Sequence, residues 1–244
     1  MTFERSSAPP PEPGPTPITS NPGASPTPVQ IRLQILSTEH WSLLASRALA
    51  WNESFSRAGM FLSTLSGSIV ALGLIGGVDG FGDAFFVFAL VILPVVLFVG
   101  IGTWLRMGAT NYHDAVAVGG MNRIRAAYLE IAPDLEPYFV MGIHDDARGM
   151  GVTMAIPPGT PPLVHLIAGT PTLVMVLDGV VAGAIVALPL VRYSSVGGVA
   201  TTIAAILVAV LVIAAQLRVA RQNIQRLQES VPSLFPSPNP RDGA

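Results

Sequence analysis

Four long apolar segments run through this chain, and Asp178 is the only ionisable side chain in any of them. A carboxylate inside a span costs about 2.5–3.5 kcal/mol on insertion scales, so such groups turn towards a protein interior or a water path. Two chemistries suit it. As a neutral acid it donates a hydrogen bond and ties helices together. Lining a path, it takes up and passes on a cation or proton. Counting inward from Pro171 places Asp178 close to the midplane of its span, on the cytoplasmic side. The same depth on the first segment falls near Leu65, which makes the hydroxyls of Ser63, Thr64, Ser66 and Ser68 the expected partners. Asp178 and these four residues form the candidate intramembrane polar site.

Histidines and carboxylates make a second group. His113-Asp114 and His144-Asp145-Asp146 are metal-ligating types, yet the segment that holds them has too few helices to make them converge. The run from Asp145 to Gly149 reads as an exposed turn. No metal and no cofactor is expected. Glu130, Asp134 and Glu136, near Arg123 and Arg125, read as a solvated face whose ion pairs are worth little. The chain has no glycine-rich phosphate loop, no nucleophile elbow and no paired carboxylates in one pocket, so no catalytic residue is assigned.

These residues depend on their spans for position. The segments cover 58–78, 84–105, 171–191 and 196–217, each 21 or 22 residues long. About 20 are needed to cross the hydrocarbon layer. Asp79, Asp83 and Arg192 occupy the short links, while Arg47, Arg57, Arg106, Arg123, Arg125, Arg148, Arg218, Arg221 and Arg226 flank the opposite ends. That asymmetry predicts two transmembrane hairpins with both termini in the cytoplasm of a cell membrane. Thr170 and Pro171 read as N-cap and first residue of the third helix. Pro94 predicts a kink in the second. Trp104 and Arg106 anchor that helix at the headgroups. Small residues recur at every fourth position: Gly59, Ser63, Gly67 and Ala71; Gly179, Gly183 and Ala187; Gly197, Thr201, Ala205 and Ala209. Such stripes let helix backbones approach closely.

Outside the spans the pattern changes. Residues 1–28 hold nine prolines and predict a disordered tail. In 29–57, Val29, Ile31, Leu33 and Ile35 alternate with polar residues as in a strand. Thr38 then caps an amphipathic helix bearing Trp41, Leu44, Leu49, Trp51 and Phe55. Residues 106–170 form a cytoplasmic loop region, with a helix over 121–131 ending before Pro133 and a β-hairpin of 139–143 with 152–156. Residues 218–244 give a helical extension, expected to pack on that of the first span, and a second disordered tail.

Composition narrows the class. Only 11% of residues are charged, against about 25% in soluble domains, and mean hydropathy is +0.57. A net charge of −2 argues against a nucleic-acid partner. Without cysteine there is neither disulfide nor thiolate chemistry. All 13 basic residues are arginine, which reads as the coding bias of a GC-rich bacterial genome. The fold class expected is an all-α membrane protein of four transmembrane helices, with cytoplasmic extensions and a small β-sheet. The function expected is a non-enzymatic scaffold or sensor, homo-oligomeric in the lipid bilayer, with a cytoplasmic cap that meets a protein partner. The alternative is a small ion or proton channel or transporter using Asp178.

Overall fold

A computed structural model of the chain describes residues 27–156, 169–230 and 232–238. The proline-rich stretch 1–26 and the end of the C-terminal tail lie outside them. Helix α1 spans Pro28–Asp79 and α2 spans Asp83–Ile131. After a 3-10 turn at Pro133–Tyr138 come α3 (Ala147–Thr153), α4 (Thr170–Tyr193) and α5 (Gly198–Ser230). Helices α1, α2, α4 and α5 are long and apolar enough to cross a membrane.

The first helix starts where a reciprocal cap forms. Thr27 Oγ1 accepts from the Gln30 amide at 3.3 Å, and Gln30 Oε1 accepts from the Thr27 amide at 2.7 Å, with Pro28 in the first turn. The helix then runs unbroken for 52 residues. This corrects the expected strand at 29–35: the alternating residues have no partner strand, and the cap commits them to the helix. Thr38 does not cap, because the turn before it is already helical; its hydroxyl donates to the Gln34 carbonyl at 2.8 Å. Among the described residues there is no strand, so the expected hairpin is absent too. Asp146, expected in its turn, instead caps α3 by accepting from the Gly149 amide at 2.8 Å.

Between α1 and α2 the chain reverses over three residues. Gly80 takes the left-handed conformation at φ 62°, and Asp79 Oδ2 accepts from the Phe85 amide at 3.1 Å. Helix α2 passes through Pro94 without ending and stops before Pro133, as the sequence predicts. Gly169 rather than Thr170 is the N-cap of α4, one residue earlier than expected.

Helix α2 is the centre of the molecule. It packs on α1 along one side and on α4 along the other, while α5 leans on α4 and touches α2 lightly. The contact of α2 with α4 ties the four spans together, so they are not two separate hairpins. Burial along α1 follows three-and-four spacing through Leu36, His40, Leu43, Arg47, Ala50, Ser54, Ala58, Phe61, Leu65 and Ser68. That single seam carries α1 and α2 beyond their apolar segments as a stalk, roughly 40 Å long at 1.5 Å per residue. Arg32–Glu130, Arg47–Asp114 and Arg106–Glu53 ion pairs line it. The extension of α1 therefore packs on α2 rather than on α5. Trp41, Leu49 and Phe55 turn outward, against expectation, while Leu43 sits over Gly120 of α2.

The small-residue stripes of α4 and α5 serve each other. A methyl group on Gly183 would stand 2.8 Å from the Ala205 carbonyl oxygen, and one on Gly179 would stand 3.1 Å from that of Ala209. The stripe on α1 is open, with nothing within 4 Å of a methyl on Gly59 or Gly67.

Candidate intramembrane polar site

Close packing of α4 on α5 sets the site. Asp178 precedes Gly179, and Gln216 lies one turn beyond Ile213, the residue that Gly179 touches. Gln216 Nε2 donates to Asp178 Oδ2 at 2.8 Å. Asp178 is 0% exposed and Gln216 6%. Helix α2 supplies the third wall at Gly100. A methyl there would collide with Asp178 Oδ1 and come within 2.7 Å of the Phe61 ring of α1. Glycine inside a helix costs about 1 kcal/mol relative to alanine, and here it opens the notch that admits the carboxyl. All four apolar helices thus contribute a residue: Phe61, Gly100, Asp178 and Gln216.

Two oxygens in this site are buried without a donor, Asp178 Oδ1 and Gln216 Oε1. An ionised carboxylate here would have one amide donor and no cation, since no arginine lies within a span. A neutral acid has an O–H to give, and the amide oxygen beside it lacks one. A proton on Oδ1 would supply a donor in a site where both unpartnered oxygens can only accept.

The expected partners do not meet Asp178. Ser63, Thr64 and Ser66 are exposed on α1. Thr64 donates to the Met60 carbonyl at 2.9 Å, and Ser68 to that of Thr64 at 2.7 Å. Equal depth gives no information about which way a helix face points, and α1 reaches the site through Phe61. Gln216 is the only amide in the four apolar segments, and that was the signal available in the sequence. Phe61 lies four residues from Arg57 and Gly100 six from Arg106, so along α1 and α2 the site is about 6–9 Å from the stalk-side arginines.

The stalk carboxylates have other work. Asp114 is held by Arg47 and by Trp51 Nε1. Asp145, expected in an exposed turn, is buried and accepts from Arg123 at 2.7 Å, Ser233 Oγ at 2.6 Å, and the amides of Leu234 and Phe235 at 2.9 and 2.8 Å. Asp146 accepts from the Ser237 amide and hydroxyl at 3.0 and 2.9 Å. Together they clamp residues 232–238 of the tail onto the stalk. Burial works against ionisation of Asp145, but the Ser233 hydroxyl, the two tail amides and Arg123 outweigh it and hold the carboxyl well below the usual carboxylate range. Asn122, fully buried, joins the loop to α2 by donating to the His144 carbonyl at 2.6 Å and accepting from Thr153 at 2.7 Å. Arg125 bonds Asn122, and Arg123 bonds Asp145, so neither pairs with the acidic patch, whose Glu130 bonds Arg32 instead. Among the described residues, no three histidine or carboxylate side chains group as metal ligands.

No protein-family model, curated protein or solved structure matches this chain. Function therefore has to be argued from the chemistry of the site itself.

Proposed function

We propose that this chain is a multi-pass membrane protein that takes up and passes on protons at the Asp178–Gln216 pair, as a small channel or transporter. The two donorless buried oxygens carry the reading. Hydronium gives its proton to Asp178 Oδ1 and leaves as water, the new O–H donates to Gln216 Oε1, and release reverses the step. A metal cation such as calcium wants six or more oxygens, whereas this site offers two free ones. The excess of arginine at the stalk-side ends of the apolar segments supports a cytoplasmic stalk and cytoplasmic termini.

Reconstituted vesicles with a lumenal pH dye and an imposed gradient test this. The wild type is expected to conduct protons. Asp178→Asn keeps the shape and an acceptor for Gln216, and is expected to abolish the flux at normal expression. Undiminished flux in that variant would overturn the reading.

A separate observation supports an oligomeric scaffold or sensor. Trp41, Leu44, Trp51 and Phe55 share a face of the stalk beside the α2 seam and are all exposed, and large apolar patches of this kind mark interaction sites. A second copy of the chain, or a cytoplasmic partner, would cover them. Light scattering on the purified protein is expected to show an oligomer that Trp41→Glu with Phe55→Glu dissociates; a monomeric wild type sinks the homo-oligomer.

A further inference from the structure

A cavity of about 250 Å³ opens on the stalk side of the spans, between α2, the start of α4 and the extension of α5. Its register relates it to the polar site. Trp104, at its inner end, lies one turn stalkward of Gly100; Ala220, also in its wall, lies one turn stalkward of Gln216. The cavity therefore begins about 6 Å along the helices from the Asp178–Gln216 pair. At about 30 Å³ per molecule it holds roughly eight waters. Asn111 and Asn223 line it and offer polar partners for such waters. Among the described residues no charged side chain lines it.

One apolar layer separates cavity and site. Val174, one turn stalkward of Asp178, is 1% exposed, and Trp104 is also buried. Both belong to the core cluster that joins α2 to α4. Residues of this kind close a water path by excluding water from its narrowest point.

We infer that this cavity is the water-filled cytoplasmic mouth of the proton path to Asp178, closed here at Val174 and Trp104. The inference rests on the proton reading above, and a lipid tail or other amphipath in the cavity is the competing occupant.

The absence of cysteine gives a clean background for the test. A methyl added at Gly108, in the cavity wall, meets nothing within 4 Å, so Gly108→Cys fits without displacing a neighbour. Ala115→Cys is a second position in the same wall. Val210→Cys, on the exposed face of α5, is the lipid-facing control. A charged methanethiosulfonate needs a hydrated thiolate, so it should modify the cavity cysteines at least about tenfold faster than the control. Modification should then cut proton flux severalfold relative to the same variant before treatment. Labelling as slow as at Val210→Cys, or slow until lipid is stripped by detergent, overturns the water-filled mouth. Fast labelling with unchanged flux, while Asp178→Asn still abolishes it, overturns the path alone. If neither changes the flux, or the wild type carries none, the proton reading falls with it.

Discussion

Asp178 and Asp145 are both buried carboxylates, and their surroundings could hardly differ more. Asp145, in the stalk, accepts from a guanidinium, a hydroxyl and two backbone amides, three of them supplied by the tail. Asp178, in the spans, accepts from one side-chain amide and keeps one oxygen with no donor. Saturation makes the first a fixed charge that organises the chain around it. Scarcity leaves the second with a single donor and an unpartnered oxygen, the feature on which the proton proposal rests. Burial alone does not distinguish these two acids; the count of donors around each does.

Removing Asp145 should give the largest loss of stability. Asp145→Ala leaves Arg123 and two tail amides without their acceptor, at a cost of about 3 kcal/mol, the low end for a broken buried pair because Arg123 is 30% exposed. Protease cleavage within 232–238, slow in the wild type, becomes rapid. A tail that stays protected would remove the contrast.

Gly100→Ala comes next. Its methyl drives Asp178 and Phe61 out of the notch, and overpacking of this sort costs about 1–3 kcal/mol. Thermal unfolding in detergent reads the loss, while Gly102→Ala, with open space around it, raises the midpoint slightly.

Gln216→Leu sharpens the comparison from the other side. A hydrogen bond between helices in the membrane is worth about 0.6 kcal/mol on average, so stability should hardly move, although proton flux falls with the lost partner. A large destabilisation would make the pair structural glue.

The smallest effect expected is that of pH on the clamp. The carboxyl of Asp145 titrates below its unfolded value of about 3.9. Its contribution is therefore complete above that value and is lost as pH falls through the lower, folded one. Glu53, lowered to about 2 by hydrogen bonds from Arg106 and Arg57, behaves alike at the base of the stalk. Tail protection should stay flat from neutral pH to about 4 and decline only below; release near pH 6 would contradict the saturated environment.

Much of this architecture is legible in local pattern. Apolar length marks the four helices that can cross a membrane, and Pro133 ends α2 because its predecessor is pushed out of the helical region. The Thr27-Pro28-Val29-Gln30 cap was equally local, but the alternation of Val29, Ile31, Leu33 and Ile35 masked it. Which residues meet across helices was far less legible. Hydrophobic composition gives depth, but azimuth comes from packing: Ser63, Thr64 and Ser66 are exposed on α1 while Phe61 is buried beside Gly100.

By itself, the sequence established the apolar spans, the arginine-rich side and the isolation of one carboxylate, since insertion cost and helix propensity are sums over neighbouring residues. Only the tertiary structure decided that Asp178 meets Gln216, 38 residues away, and that Asp145 grips a tail some 90 residues on. Those contacts follow from glycine notches and close helix approach, which bring together residues that no local sum relates.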